Sequence, residues 1–338
     1  VRDLDSAKFE KFLKKNGLKE EQIKSFKTEI ENYQKYLQKE NLTIESVDPN
    51  KVVEYTEILV ANECDTVLNF LLALWNYANF SKKREFITAA IDLFESYNAM
   101  DNLYLRIGEK FGDKIRDELF EGLIIPKIGI HPEKKPDFTK KIMKRIEDKF
   151  GEKKVIELLK PCLHGRGGLE NIEQDKKYYQ EFGIDAFLEK KYKEHIEAFE
   201  KHRDEGTYAF AQPVDDEVVE YVKSIPTISA GKREGNIIYV QKTPYQTKKF
   251  LNTDDEKLKK FYCCYCPWVR GALKNGTDKE ITKDFCQCSG GWFKLYYDQL
   301  FEQPITVEPV ETALIDGFEC KFAIHLPDDV IIKEKPEE

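Results

Sequence analysis

From Ser6 to about Ser96 the apolar residues recur every three or four positions, the period that puts side chains on one face of an α-helix. Phe9, Phe12 and Leu13 form a short stripe, and Ile23, Phe26, Ile30, Tyr33 and Leu37 a longer one. Asp48 with Pro49 reads as a helix start ahead of Val52, Val53, Tyr55 and Leu59. Asp65 is placed to open a very apolar helix through Leu68, Phe70, Leu71, Leu74 and Trp75, and Ser81 to cap a helix carrying Phe86, Ile87, Ala90, Ile91 and Phe94. The pattern predicts five helices, a bundle over residues 1–100.

Helical spacing continues over residues 101–205, a connector region interrupted by a loop with Pro126, Gly129, Pro132 and Pro136. Phe138, Ile142, Ile146 and Phe150 repeat every four residues and meet a stop at Gly151. The next helix runs into Pro161, Cys162, Leu163, His164, Gly165, Arg166, Gly167 and Gly168. The glycines allow close backbone approach, and Cys162 with His164 offers a sulfur and a nitrogen donor. The plainer alternative is a Gly-rich turn, since no phosphate-loop or dinucleotide motif follows a strand here. A helix from about Asp185 to Asp204 carries His195 and His202 on one face, where solvation or capping is their ordinary role.

After Gly206 the period shortens. Tyr208 to Gln212 reads as a strand and Asp215 to Ser224 as a helix, and Ile228 to Arg233 with Ile237 to Gln241 reads as a hairpin around Gly235 and Asn236. Thr243 and Pro244 are placed to open a helix, and a longer one runs from near Phe285 to Phe301 in spite of Gly290 and Gly291. Val307 to Ile315 and Cys320 to Leu326 flank the turn pair Asp316 and Gly317. The expected fold is α+β: an all-helical N-terminal region followed by a mixed α/β domain over residues 206–338.

Composition limits the function classes. With 41% apolar residues and 12% aromatics the chain can bury real cores, while a net charge of −8 argues against a broad electrostatic grip on nucleic acid. No run of eighteen apolar residues occurs, and Val1, Arg2, Asp3 and Leu4 do not start a signal sequence. A cytoplasmic protein with no membrane partner is expected.

Eight cysteines are spread unevenly: Cys64 and Cys162 stand apart, and the other six fall between Cys263 and Cys320. In a long, charged chain read as intracellular, reduced thiols and metal ligation are favoured over a disulfide frame. Cys264 and Cys266 form one Cys-x-Cys pair, Cys286 and Cys288 a second, and Cys320 lies on the predicted last strand. Two such pairs suit a tetrahedral zinc site, and four thiolates suit an iron–sulfur cluster equally well. In an extended strand each pair would point both sulfurs to one face, leaving Cys263 uninvolved. Burial of cysteines as small hydrophobes is the plain alternative.

Two resemblances add to this reading. Tyr33, Tyr36 and Leu37 before the Asp48 turn, then Tyr55 and Leu59, resemble the SAM-like core-binding domain of tyrosine recombinases. None of the five histidines is followed three residues later by Arg, so the recombinase chemistry is rejected and a scaffold or protein-interaction role is expected. Cys264, Tyr265, Cys266, Pro267, Trp268, Val269 and Arg270, then Phe285, Cys286, Gln287, Cys288, Ser289 and Gly290, resemble an uncharacterised prokaryotic family related to 4-vinyl reductase domains and L-2-amino-thiazoline-4-carboxylic acid hydrolases. Val307, Glu308, Glu311, Gly317, Cys320, Phe322 and Ile324 resemble the closing hairpin of the 4-vinyl reductase domain.

This second resemblance implies a ligand-binding α/β fold with a structural zinc, bound by cysteines and a glutamate, beside the pocket. Cys286 and Cys320 match two ligand positions. Ala313 and Leu314 stand where another cysteine is expected, so Cys264, Cys266, Cys288 or Glu311 would have to compensate. The expected function is binding of a small organic, anionic ligand, with Lys242, Tyr245, Lys248 and Arg270 as its partners and zinc in the thiolate site. The alternatives are a metal- or thiol-dependent hydrolase of a C–N or C–S bond, with His164, His202 or His325 as base, and an iron–sulfur redox protein. A homodimer is compatible with each.

Overall fold

The computed structural model describes residues 6–164, 169–315 and 317–333. The chain divides into two compact units, one of residues 1–97 and 126–135, the other of residues 98–125 and 136–338.

The first unit is helical: α1 (Ser6–Lys15), α2 (Glu20–Gln38), α3 (Asn50–Ala61), α4 (Val67–Ser81) and α5 (Glu85–Phe94). The stripes read from the sequence are its core, with Phe9, Ile30, Tyr33, Leu37, Phe70, Leu74 and Ile91 excluded from water. Tyr33, Tyr55 and Phe70 pack ring against ring, with centroids 4.9 to 5.3 Å apart. Asp48 accepts the Asn50 N–H at 2.8 Å and so turns the chain into α3. Ser81 does not cap α5: it ends α4, its hydroxyl donating back to the Tyr77 carbonyl, and Lys82 with φ of 63° turns the chain before α5 starts at Glu85. Residues 126–135 return to this unit, where Gly129 donates its N–H to the Leu93 carbonyl.

The second unit holds α6 (Ala99–Phe111), α7 (Asp113–Phe120), α8 (Pro136–Phe150), α9 (Glu152–Leu159) and α10 (Ile172–Asp204), the last broken at Gly183 with φ of 80°. Most of segment 101–205 is therefore part of the same body as the strands. A two-residue pair follows, β1 (Tyr208–Ala209) with β2 (Gln212–Pro213), in place of the single strand expected over Tyr208–Gln212, because Phe210 turns the chain back with φ of 56°. Then come α11 (Asp216–Ser224), β3 (Lys232–Glu234), β4 (Ile237–Gln241), α12 (Thr247–Leu251), α13 (Glu256–Cys263), α14 (Arg270–Asn275), α15 (Gln287–Phe301), β5 (Thr306–Glu311) and β6 (Lys321–His325). The fold is mixed α+β. Among the described residues no helix is long and apolar enough to cross a membrane.

The larger sheet is antiparallel throughout in the order β3-β4-β6-β5. Its pairs Ile238 with Ile324 and Val240 with Phe322 bury one face. Tyr297, Leu300 and Phe301 of α15 and Ile184 and Phe187 of α10 belong to the same core. Pro309 sits in the edge strand β5, at a register shift, where its missing N–H costs no ladder bond to a second neighbour. The strand ends at Glu311, earlier than Ile315. Glu311 Oε1 accepts the N–H groups of Phe318 and Glu319, and Gly317 donates its N–H to the Thr312 carbonyl, so a loop replaces the tight two-residue turn. Asp316 of that expected turn lies outside the described residues.

A second core joins α6, α8 and α9 to Trp268, Leu273, Phe285 and Cys288. The candidate site sits on the seam where α9 and α15 meet.

Candidate metal centre

Cys162 and His164 follow the end of α9, and Cys288 lies in the first turn of α15. One ligand atom from each comes within 4.8 Å of the other two, and among the described residues this is the one group of three His, Cys, Asp or Glu donors gathered so tightly. A tetrahedral zinc with sulfur at about 2.3 Å and nitrogen at about 2.0 Å has ligand–ligand edges of about 3.5 to 3.8 Å, so a small inward movement closes the set. Two sulfurs are soft donors and an imidazole nitrogen a borderline one, and the triad can hold a metal ion.

Local sequence explains the convergence. Gly291 is buried in α15 one turn after Cys288, and a Cβ there would stand 2.2 Å from the Lys160 carbonyl oxygen and 2.5 Å from the Cys162 nitrogen. Only a residue without a Cβ lets the 160–162 backbone lie against the helix. From the other side α6 grips the same segment. Arg106 donates to the carbonyls of Leu158 at 2.6 Å, Pro161 at 2.7 Å and Cys162 at 3.3 Å, and Asn102 donates to that of Leu163. The Leu163 N–H in turn donates to Cys288 Sγ at 3.3 Å.

The hydrogen bond with Cys288, and after it the His164 ring, hold the Cys162 thiol well below its usual range. The same hydrogen bond, with burial, pushes Cys288 well above it. The two thiols titrate as a coupled pair, one drawn down and the other pushed up by the hydrogen bond they share. The guanidinium of Arg106 feels both sulfurs, although burial dominates and lowers its own pKa.

Of the five cysteines expected to bind metal, Cys288 alone belongs to this triad. Cys264 and Cys266 are not on a strand: Cys264 ends α13, and Cys266 lies in the turn leading into α14, its carbonyl accepting the Arg270 N–H at 3.0 Å. The pointing rule for strands therefore does not apply to them. Cys286 closes a 3-10 turn (Lys283–Cys286), and Cys320 directly precedes β6. Burial pushes Cys264 up to about 11 and raises Cys286 and Cys320 too, with the Cys320 sulfur the next largest influence on the other two. These thiols are neighbours without forming a tight donor set. Cys266 is the one of them whose charge reaches Cys288. Cys263 is fully buried.

The expected ligand residues part company. Lys248 lies on the exposed side of α12 and forms an ion pair with Asp215, the cap of α11. Arg270 is buried, its guanidinium 4.0 Å from the Tyr245 ring centroid and 4.5 Å from that of Phe261. Lys242 donates to the Ser289 hydroxyl at 2.7 Å. His202 pairs with Thr207, and His325 with Glu308, so of the three candidate bases His164 alone is at the metal centre. Residues 165–168, the glycine-rich continuation, lie outside the described residues.

No family model matches the chain, and comparison with curated proteins and with solved structures returned no match.

Proposed function

We propose that this is a small-molecule-binding protein whose second unit is pinned by a zinc ion on Cys162, His164 and Cys288. The observation that carries the reading is the convergence of these three donors within 4.8 Å from segments 125 residues apart. In this reading Cys266 moves in as the fourth donor and closes the site, as structural zinc requires. The five expected thiols then divide, with Cys288 and Cys266 in the site and Cys264, Cys286 and Cys320 in the surrounding core.

One observation favours a second reading. The tight group has three donors, the number that leaves a fourth position for a water or a substrate atom. A metal-dependent hydrolase of a small C–N or C–S substrate is the corresponding activity.

Metal analysis and the absorption spectrum of protein purified without oxygen test both. The closed zinc site predicts about one zinc per chain, no visible absorption, and a zinc absorption-edge spectrum fitted by three sulfurs and one nitrogen. Two sulfurs with two lighter donors would move the assignment to the open, hydrolytic site. Broad visible absorption with iron would replace zinc by an iron–sulfur cluster, and metal-free protein that cannot be loaded would end the proposal.

A further inference from the structure

The region around Lys242 has a chemistry that the metal centre does not use. Lys242 follows β4, its backbone N–H fixed on the Cys320 carbonyl at 3.0 Å. Its half-buried ammonium donates to Ser289 Oγ at 2.7 Å and stands 5.5 Å from the Tyr265 ring centroid and 5.7 Å from that of Phe293. Among the described residues no carboxylate pairs with it, whereas the exposed Lys248 forms an ion pair with Asp215. A half-buried ammonium with three donors and a single hydroxyl acceptor is a place where an anion gains both charge and hydrogen bonds.

The surroundings are aromatic. Tyr265 meets Tyr245 edge to face at 5.1 Å, and Tyr245 is the ring beneath Arg270. Phe210, 43% exposed, lies nearly parallel to Tyr265 at 5.8 Å and forms the lip of the cluster. Phe210 holds φ of 56°, a conformation that costs a bulky L-residue about 1 to 2 kcal/mol and needs compensation from its surroundings. An exposed aromatic ring in a strained turn, set against two tyrosines, fits a flat apolar body better than a hydrated inorganic ion.

We propose that Lys242, Ser289 and Tyr265, backed by Tyr245 and lipped by Phe210, bind a small planar organic carboxylate. The carboxylate lies against the Lys242 ammonium and the Ser289 hydroxyl, and the flat body against Tyr265 and Phe210. This rests on the reading of the chain as a small-molecule-binding protein, and is independent of the metal's identity.

Calorimetric titration of the full chain with benzoate tests it, with benzamide and inorganic phosphate as controls and metal content measured on the same samples. The expected result is one benzoate per chain, benzamide at least about tenfold weaker, and at least about a tenfold loss in Lys242→Met with unchanged metal content. Phe210→Ala, at an exposed position, weakens benzoate as well, which keeps the test open should Lys242→Met fail to fold. Absence of saturable binding by benzoate, salicylate and cinnamate overturns the site, as does unchanged affinity in either variant. Phosphate competing as well as benzoate overturns the planar class. Benzoate binding to a chain that takes up no metal refutes the metal centre alone, and a metal-loaded chain indifferent to all three carboxylates refutes this site alone.

Discussion

Replacing Gly291 by alanine adds one methyl group at the point where α15 and the 160–162 segment touch. That carbon would meet the Lys160 oxygen at 2.2 Å and the Cys162 nitrogen at 2.5 Å, both backbone atoms, whereas carbon contacts settle at about 3.5 to 4.0 Å. The segment cannot yield freely, since Arg106 and Asn102 hold four consecutive or near-consecutive carbonyls on its far side. Something on the order of 1 Å of displacement is required, which overpacking data put at about 1 to 3 kcal/mol, offset by the better helix propensity of alanine, worth up to about 1 kcal/mol. The larger effect falls on the metal, because ligand distances tolerate only about 0.2 Å and Cys162 is the atom being moved. Zinc affinity, measured by competition with a chromophoric chelator, should fall by at least about tenfold. Gly290→Ala is the internal comparison: its nearest neighbour is the buried Phe322 ring at 3.3 Å and not the 160–162 backbone, so any cost there falls on stability while zinc affinity is unchanged. Equal zinc affinity in Gly291→Ala and the parent chain would refute both the packing argument and the assignment of Cys162 as a ligand.

Other outcomes follow from the same geometry. Arg106→Met leaves the Leu158 and Pro161 carbonyls without their donor and should cost about 2 to 4 kcal/mol in a chemical melt, with weaker zinc binding. Burial pushes His195 down from 6.5 to about 4, so the unfolded chain binds more protons between these values. The stabilisation is therefore complete above about pH 6.5 and lost as pH falls towards 4. Melts at pH 7 and pH 4 should show the parent chain losing about 3 kcal/mol more than His195→Phe as pH falls across this window. Treating metal-free protein with hydrogen peroxide should join Cys162 to Cys288, two thiols giving one disulfide as peroxide is reduced to water, and peptide mapping should find that pair ahead of the core thiols Cys264 and Cys286.

Much of the fold was legible because it obeys local rules. The stripes of α2 and α4 place their own core residues, and Phe322, Ile324 and Val307 alternate as a half-buried hairpin must. Helix ends are the least legible, because a single side chain can serve either neighbour: Ser81 suits the start of the next helix by sequence and belongs to the end of the one before. In the site, Cys162 and His164 were readable as a sulfur and nitrogen pair, and Cys288 as a ligand, but no local period joins two segments 125 residues apart. The Cys-x-Cys rule presumed strands, and the chain put both pairs at helix ends and turns. One signal could have made the connection. Gly290 and Gly291 interrupt an otherwise sound helical pattern just after Cys288, and a glycine kept inside a helix marks the close approach of another backbone.

The separation of the ligands has a consequence for how the chain reaches its native state. Bringing Cys162 and Cys288 together closes a loop of 125 residues, a contact that must be made against chain entropy before it returns anything. A metal that tied those residues would act on the unfolded ensemble as a cross-link does, removing about 5 kcal/mol of loop-closure entropy in the chain-entropy model. An ion acquired during synthesis would then find Cys162 and His164 waiting as a two-donor foothold, with Cys288 arriving only after the intervening helices and strands had been made. Refolding with and without zinc would differ chiefly in the late docking of α15, and the order of events would be set by the metal instead of by the hydrophobic core.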